Sequence, residues 1–247
     1  YYCSIHSGMG GQVNTNTTDG PTHAEGTILS RVKPNAEYGF SIVSYTGTGS
    51  AATVGHGLGV APKMVIIKDR GDTSTWIVYT EPTGNDNVLV LASNQAAGST
   101  GNFNSTSPTS TVFSQGGGGA VGASSSQYIA YCFSDVTNHQ KIGSYIGNGS
   151  TTGPTVTLGF RPSFLLIKRT DSTGEWILMD NTRHPSNPND LALFARLNYA
   201  ETSSSSYEVD FNSDGFQLKN TNSAFNASGG TYIYLAIADT RDALFTS

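Results

Sequence analysis

The segment Pro62-Lys63-Met64-Val65-Ile66-Ile67-Lys68 is matched by Pro162-Ser163-Phe164-Leu165-Leu166-Ile167-Lys168, and the reading of this pair decides the fold. Each is a short apolar run between a proline and a lysine. Both are too short and too β-rich for a helix, and suit a central strand covered on both faces, as a two-sheet sandwich provides. Working outward, the likeness continues at one offset of 100 residues: Tyr45-Thr46-Gly47 faces Tyr145-Ile146-Gly147, Gly59 faces Gly159, and Trp76 faces Trp176. Solenoid turns and propeller blades repeat every roughly 20–50 residues, so a period this long marks two copies of a small domain.

Further along, Tyr128–Asp135 aligns with Tyr232–Asp239, but the offset has grown to 104. Net insertion is tolerated in exposed connections, which places variable loops between positions 80 and 128 of the first copy. The expected architecture is all-β. Two tandem β-sandwich-like domains of about 100 residues, 39–138 and 139–247, follow an extended arm, 1–38, that has no partner in the duplication. Tyr1–His6 reads as a candidate strand of something upstream.

Composition agrees with a loop-rich β protein. Only 13% of the 247 residues are charged, against the usual quarter, while 29 glycines and runs of Ser, Thr and Asn separate the apolar stretches. A net charge of −5 without a basic, aromatic-interleaved stripe argues against nucleic acid as a partner. No apolar run approaches the roughly 20 residues of a transmembrane helix, so membrane insertion is not expected. No leader pattern is visible at Tyr1, although a chain that does not begin with Met leaves upstream signals open. Cys3 and Cys132 do not form a disulfide framework. Cys132, inside the run Tyr128–Phe133 and replaced by Ala236 in the second copy, reads as a buried thiol.

Strands are expected at Phe40–Tyr45, Lys63–Lys68 and Trp76–Tyr79, and again at Lys141–Tyr145, Ser163–Lys168 and Glu175–Met179. The lysine ending the second strand of each set reads as a rim residue whose stem covers apolar surface while its ammonium stays wet. Gly59 and Gly159 read as turn residues with unusual backbone angles. Asn189–Tyr199 reads as a strand and turn, with a short helix as the alternative.

Motifs with chemical potential are few. Asp210, Asn212 and Asp214 open a D-x-N-x-D-G calcium-loop pattern, but Thr221 stands where the closing bidentate Glu is needed, and a hairpin turning at Ser213-Asp214-Gly215 is favoured. His56 has neither a nucleophile elbow nor a metal-spaced second histidine, and reads as hydrogen-bonded and partly buried. The run Gly116–Gly119 lacks the Lys-Ser/Thr of a phosphate loop and reads as a flexible loop. Asp180, Arg183 and His184 form either a sugar- or acid-binding corner or a salt bridge supporting a long loop, the latter favoured. A glycosidase pair would have to come from Glu175, Asp180, Glu201, Glu208 or Asp210. Sequons at Asn16, Asn104, Asn148 and Asn226 are accounted for by chance in so Asn-, Ser- and Thr-rich a chain. No catalytic, cofactor-binding or metal residue is assigned.

The first copy, Gly39–Gly47 followed by Gly55–Lys68 and Trp76, resembles a repeat domain of tail-fibre and other virion structural proteins of tailed bacteriophages, notably marine ones. The second copy is similar at Gly143–Gly149, Gly159–Arg169, Trp176, Asp180, Arg183, Asp210–Phe216 and Asn226–Tyr234. The resemblance covers roughly 39–241 and transfers no catalytic assignment. It implies a virion location, on the tail or particle surface, and a homo-oligomeric part that meets other virion proteins and a host surface glycan or protein. Host adhesion through a fibre or appendage module is the leading expectation. The alternatives are a capsid decoration or head fibre without a receptor role, and a polysaccharide-degrading tailspike-type hydrolase. Loops 92–127 and 181–206, least alike between the copies, are the expected partner contacts.

Overall fold

The computed structural model describes residues 22–23 and 25–239. Cys3, Asn16 and the stretch Tyr1–His6 lie outside them. In the first repeat the strands are β1 (Thr22–His23), β2 (Ser30–Asn35), β3 (Phe40–Thr46), β4 (Ala52–Gly55), β5 (Met64–Asp69), β6 (Ile77–Thr80), β7 (Asn87–Val90), β8 (Gly98–Ser99), β9 (Val112–Gln115) and β10 (Gln127–Phe133). The second contributes β11 (Gln140–Ile146), β12 (Thr155–Thr157), β13 (Pro162–Arg169), β14 (Trp176–Asp180), β15 (Leu191–Phe194), β16 (Thr202–Ser203), β17 (Val209–Asn212), β18 (Gly215–Leu218) and β19 (Thr231–Ala238). The chain is all-β.

Each repeat has a large sheet and a small one. The large sheets run β1-β2-β3-β10-β5-β6-β7-β8 and β11-β19-β13-β14-β15-β16; the small ones are β4-β9 and β12-β18-β17. From β3 onward the first order reproduces the second strand for strand. Part of the segment expected to be an arm is integral to the first sheet, because β2 pairs with β3 along its whole length. The growth in offset is also placed. Residues 181–190 join β14 to β15 where 81–86 join β6 to β7, and beyond that connection Val78↔Leu89 and Leu178↔Leu193 are equivalent pairs.

The apolar runs owe their lack of alternation to a contact that sequence did not foresee. Within β5, Val65 and Ile67 enter the first repeat's own core, and within β13, Leu165 and Ile167 enter the second's. The alternate residues do not meet a small sheet. Met64, Val78 and Leu89 of the first large sheet pack on Ile142, Leu166, Trp176, Ile233 and Leu235 of the second, forming a third core between the repeats. The layers are therefore small sheet, large sheet, large sheet, small sheet. At roughly 1.5–3 kcal/mol for each fully buried apolar side chain, this shared core contributes a gross term comparable with the whole net stability of a domain.

Within each sandwich a pair of stacked tyrosines ties the sheet to the loop that follows the small sheet. Tyr45 and Tyr128 are cross-strand partners with ring centroids 5.2 Å apart, and Tyr145 and Tyr232 repeat this at 4.9 Å. Tyr45 Oη donates to Val121 O (2.7 Å) and Tyr145 Oη to Phe225 O (2.9 Å). Tyr128 Oη donates to Gly119 O and accepts from Ala123 N; Tyr232 Oη donates to Ser223 O and accepts from Ala227 N. The loop passes so close that a Cβ at Gly47 or Gly147 would strike the Ala123 or Ala227 carbonyl, which explains the glycine of each Tyr-x-Gly motif. The Gly116–Gly119 run is tied down by this clamp instead of hanging free. Gly59 and Gly159 carry φ of +75° and +88°, as turn residues should.

Tyr128→Phe and Tyr232→Phe each remove the hydroxyl that joins a half-buried loop N–H to a loop carbonyl, so each should lower stability by about 0.5–1.5 kcal/mol. Chemical denaturation checks this. The Tyr232→Phe loss is expected to be no larger than the Tyr128→Phe loss, because Ser223 O keeps a second donor in Arg169 Nη1 (3.1 Å). No cost at Tyr128 would contradict the clamp.

Candidate functional site

The structure gathers its most unusual chemistry where the repeats meet. Lys168, opposite Trp176 in the β13–β14 ladder, lies on the face turned towards the first repeat and is fully buried. The rim position expected for it is wrong, because the first repeat's loop after β7 closes over it. Its Nζ donates to Gln95 O (2.9 Å), Asn94 O (3.4 Å) and Arg169 O (2.5 Å). The same loop is pinned by Ala97 N to Thr170 O and Gly174 N to Asn94 O, both 2.8 Å, while Trp176 Nε1 donates to Val90 O across the seam (3.0 Å). Burial pulls the Lys168 ammonium down to about 8, with the nearby Glu175 charge opposing and Arg169 adding to the shift. Lys68, its counterpart, is half-exposed and donates to its own turn at Asp69 O and Asp72 O.

Beside this seam lies a cleft of about 450 Å³ whose walls come from both repeats, with Thr83 and Asn87 facing Ser144, Thr170, Asp171 and Thr231. Its one carboxylate is already engaged. Asp171 accepts from Arg169 Nε (2.9 Å) and Thr231 N (3.1 Å), and the Arg169 hydrogen bond, opposed by burial, holds its pKa below the usual carboxylate range.

Four of the five carboxylates weighed for a hydrolytic pair, all but Glu208, face cations. Glu175 is bidentate with Arg196 (2.6 and 2.5 Å), and Lys219 stands 3.8 Å from Asp210. Asp180 and Glu201 are brought together, but around the same Arg183 guanidinium. Burial alone would raise the Asp180 carboxyl; hydrogen bonds from Arg183 and Thr182 outweigh it and hold the group low. A general acid of a glycosidase needs the opposite shift. Asp180 also accepts from the backbone of Thr182 and Arg183, and Asn189 Nδ2 donates to Asp180 O and His184 O. The corner thus braces the longer 181–190 connection.

The remaining candidates are structural. Asn212 pairs with Gly215, so the β17–β18 hairpin turns through Ser213 and Asp214, one residue earlier than the Asp-Gly reading placed it. Neither turn residue takes positive φ; that falls on Gly215 at +154°, where a side chain would collide with Val156 O. Asp214 O instead accepts from Leu158 N and Gly159 N. No group of three or more His, Cys, Asp or Glu residues able to hold a metal occurs among the described residues. His56 is fully buried, accepting from Leu58 N at Nδ1 (3.2 Å) and meeting Thr109 O through Nε2 (3.1 Å), which fixes a neutral Nε2–H tautomer. Cys132 is a free, buried thiol whose pKa is raised by burial. The Asn226 side chain is fully buried and bonded to Asn148, Ser150 and Asn220, which removes it as a glycan acceptor.

The domain of unknown function DUF7483 matches residues 13–241. The chain belongs to the DUF7483 family. The match spans both repeats and the seam, so the DUF7483 unit is the back-to-back pair and not one sandwich. No curated protein and no solved structure matches the chain.

Lys168 supplies a test of the seam. Because its folded pKa lies below the unfolded value near 10.5, the penalty for holding the charge is complete below about pH 8 and is relieved as pH rises towards 10.5. The stability of wild type minus that of Lys168→Met should therefore climb between pH 8 and 10.5, by up to about 3 kcal/mol. Denaturant titrations of both proteins across that window measure it; a flat difference would mean the ammonium is not desolvated.

Proposed function

We propose that this chain is a virion structural protein of a tailed bacteriophage, a tail-fibre or appendage module that assembles with copies of itself and presents loops to a host surface. The observation that carries the reading is the contrast between the repeats. Their scaffold interactions coincide bond for bond, from the tyrosine clamps to Leu91 N on Trp76 O and Ala195 N on Trp176 O, while the connections between them diverge. Duplicated frames with divergent, hydroxyl- and amide-rich loops suit display, since such loops offer adaptable hydrogen bonds to glycans and proteins. The resemblance of both copies to virion repeat domains supports the same role. A hydrolytic role draws no support from carboxylates already held by Arg183 and Arg196.

Imaging of purified particles with an antibody raised against this chain is the direct test, with labelling expected on the tail or particle surface. Recovery of the chain only from the soluble fraction, with none on particles, would overturn the proposal. Replacing the exposed loop residues 104–106 and 185–186 by Gly and Ser, which spares the bonds of Ser107 to Asn85 and of Asn187 to the Phe211 backbone, should lower adsorption to host cells at least tenfold, with thermal stability unchanged.

A further inference from the structure

The contact between the repeats is heterologous: the two halves use different sides of equivalent sheets. The first repeat presents its β5–β6–β7 side through Met64, Val78 and Leu89, together with the loop that caps Lys168. The second presents its β11–β19–β13–β14 side through Ile142, Leu166, Trp176, Ile233 and Leu235. A heterologous contact does not exhaust itself, because each partner retains the side that the other has used.

Both unused sides are present and open. In the second repeat Ile142, Trp176, Ile233 and Leu235 are 1%, 0%, 1% and 5% exposed, whereas their equivalents Ile42, Trp76, Ile129 and Tyr131 are all only half-buried. On the other side Val78 and Leu89 are fully buried, and their equivalents Leu178 and Leu193 are half-buried, Leu178 packing at the border of the established seam. The capping loop follows the same rule. The difference there lies in the carbonyls: those of Asn94 and of Gln95, itself an exposed residue, accept from Lys168, while the equivalent Asn198 and Tyr199 are both exposed, Tyr199 to 66%. Lys68 meanwhile lacks a neighbouring loop and uses Asp72 O of its own turn. Half-buried Ile66 and Phe133 join the open patch of the first sheet to the established seam.

We propose that a second copy of this chain covers that patch: the second repeat of one molecule docks on the first repeat of the next, repeating between molecules the contact that joins the repeats within one. Leu178 and Leu193 then take the places of Val78 and Leu89. Loop 197–201, carrying Tyr199, closes over Lys68 as the Asn94–Gln95 loop closes over Lys168. The assembly is head-to-tail and extends as a fibre, or closes as a ring if the rotation permits. This deepens the assembly role proposed above and rests on it only in taking self-association as the purpose of the open face.

Sedimentation velocity of the full chain with two variants tests it. Ile129→Arg spoils the receiving face, and Tyr199→Arg, on an exposed loop, spoils the docking one. Wild type is expected to grow in mass with concentration. Each variant alone should remain a monomer with unaltered thermal stability. An equimolar mixture should stop at a one-to-one dimer, because each variant keeps the face the other lacks. Leu193→Arg replaces Tyr199→Arg if losing the loop contact alone leaves assembly intact. A wild type that stays monomeric up to about 1 mM would overturn the inference. So would growth unaffected by variants on both faces, or a mixture no larger than its components. A monomeric chain that nonetheless labels particles would sink this contact and leave the virion role standing.

Discussion

The way the layers of this protein stack depends on an apolar contact between two β-sheets that belong to different repeats. Two domains in one chain usually meet through modest, fairly polar surfaces that permit relative motion. Here the large sheets bury Met64, Val78, Leu89, Leu166, Trp176 and Leu235 against one another, and the seam is closed by backbone hydrogen bonds and an ammonium with three carbonyl partners. An edge-to-edge arrangement would have left those side chains in water. Once the large sheets lie back to back, each small sheet can only pack on the outer side, and the tyrosine clamps then fix the loop leaving it.

The same contact breaks the symmetry that the duplication suggests. Lys68 and Lys168 occupy equivalent positions, yet one is half-exposed and bonded to its own turn while the other is buried beneath the neighbouring repeat's loop. Trp76 stacks on Tyr131 at a half-open surface; Trp176 is sealed in the shared core with its indole N–H on Val90 O. Identical local sequence logic therefore yields two environments, decided by which side of each sheet the partner repeat covers. Such asymmetry is what a head-to-tail contact produces and a two-fold one does not.

Much of the frame was legible in the sequence. The strands around Met64–Ile67 and Phe164–Ile167, the glycine turns, the buried Cys132 and the hairpin at Asp210–Phe216 follow from apolar run length, turn chemistry and the duplication itself. What covers the second face of those runs was not. An apolar run reports that both faces are buried but not by what, and a small sheet of the same sandwich and a whole neighbouring repeat leave the same signature. That ambiguity makes Lys168 look like a rim residue; β2 is hidden for another reason, since a strand with no counterpart in the other copy carries no repeat signal. The tyrosine clamp had a signal that could have been followed, since Tyr45 and Tyr128 recur as Tyr145 and Tyr232 on strands that pair. The Arg183 corner had none beyond local spacing, because Glu201 reaches it from a distant loop.

Calorimetric unfolding of the intact chain addresses the central claim most directly, since a shared core should make the two repeats melt as one. The expected result is a single transition whose calorimetric and van't Hoff enthalpies agree for the whole chain. Two separable transitions, each accounting for about half of the enthalpy, would contradict the account by showing two sandwiches that merely touch.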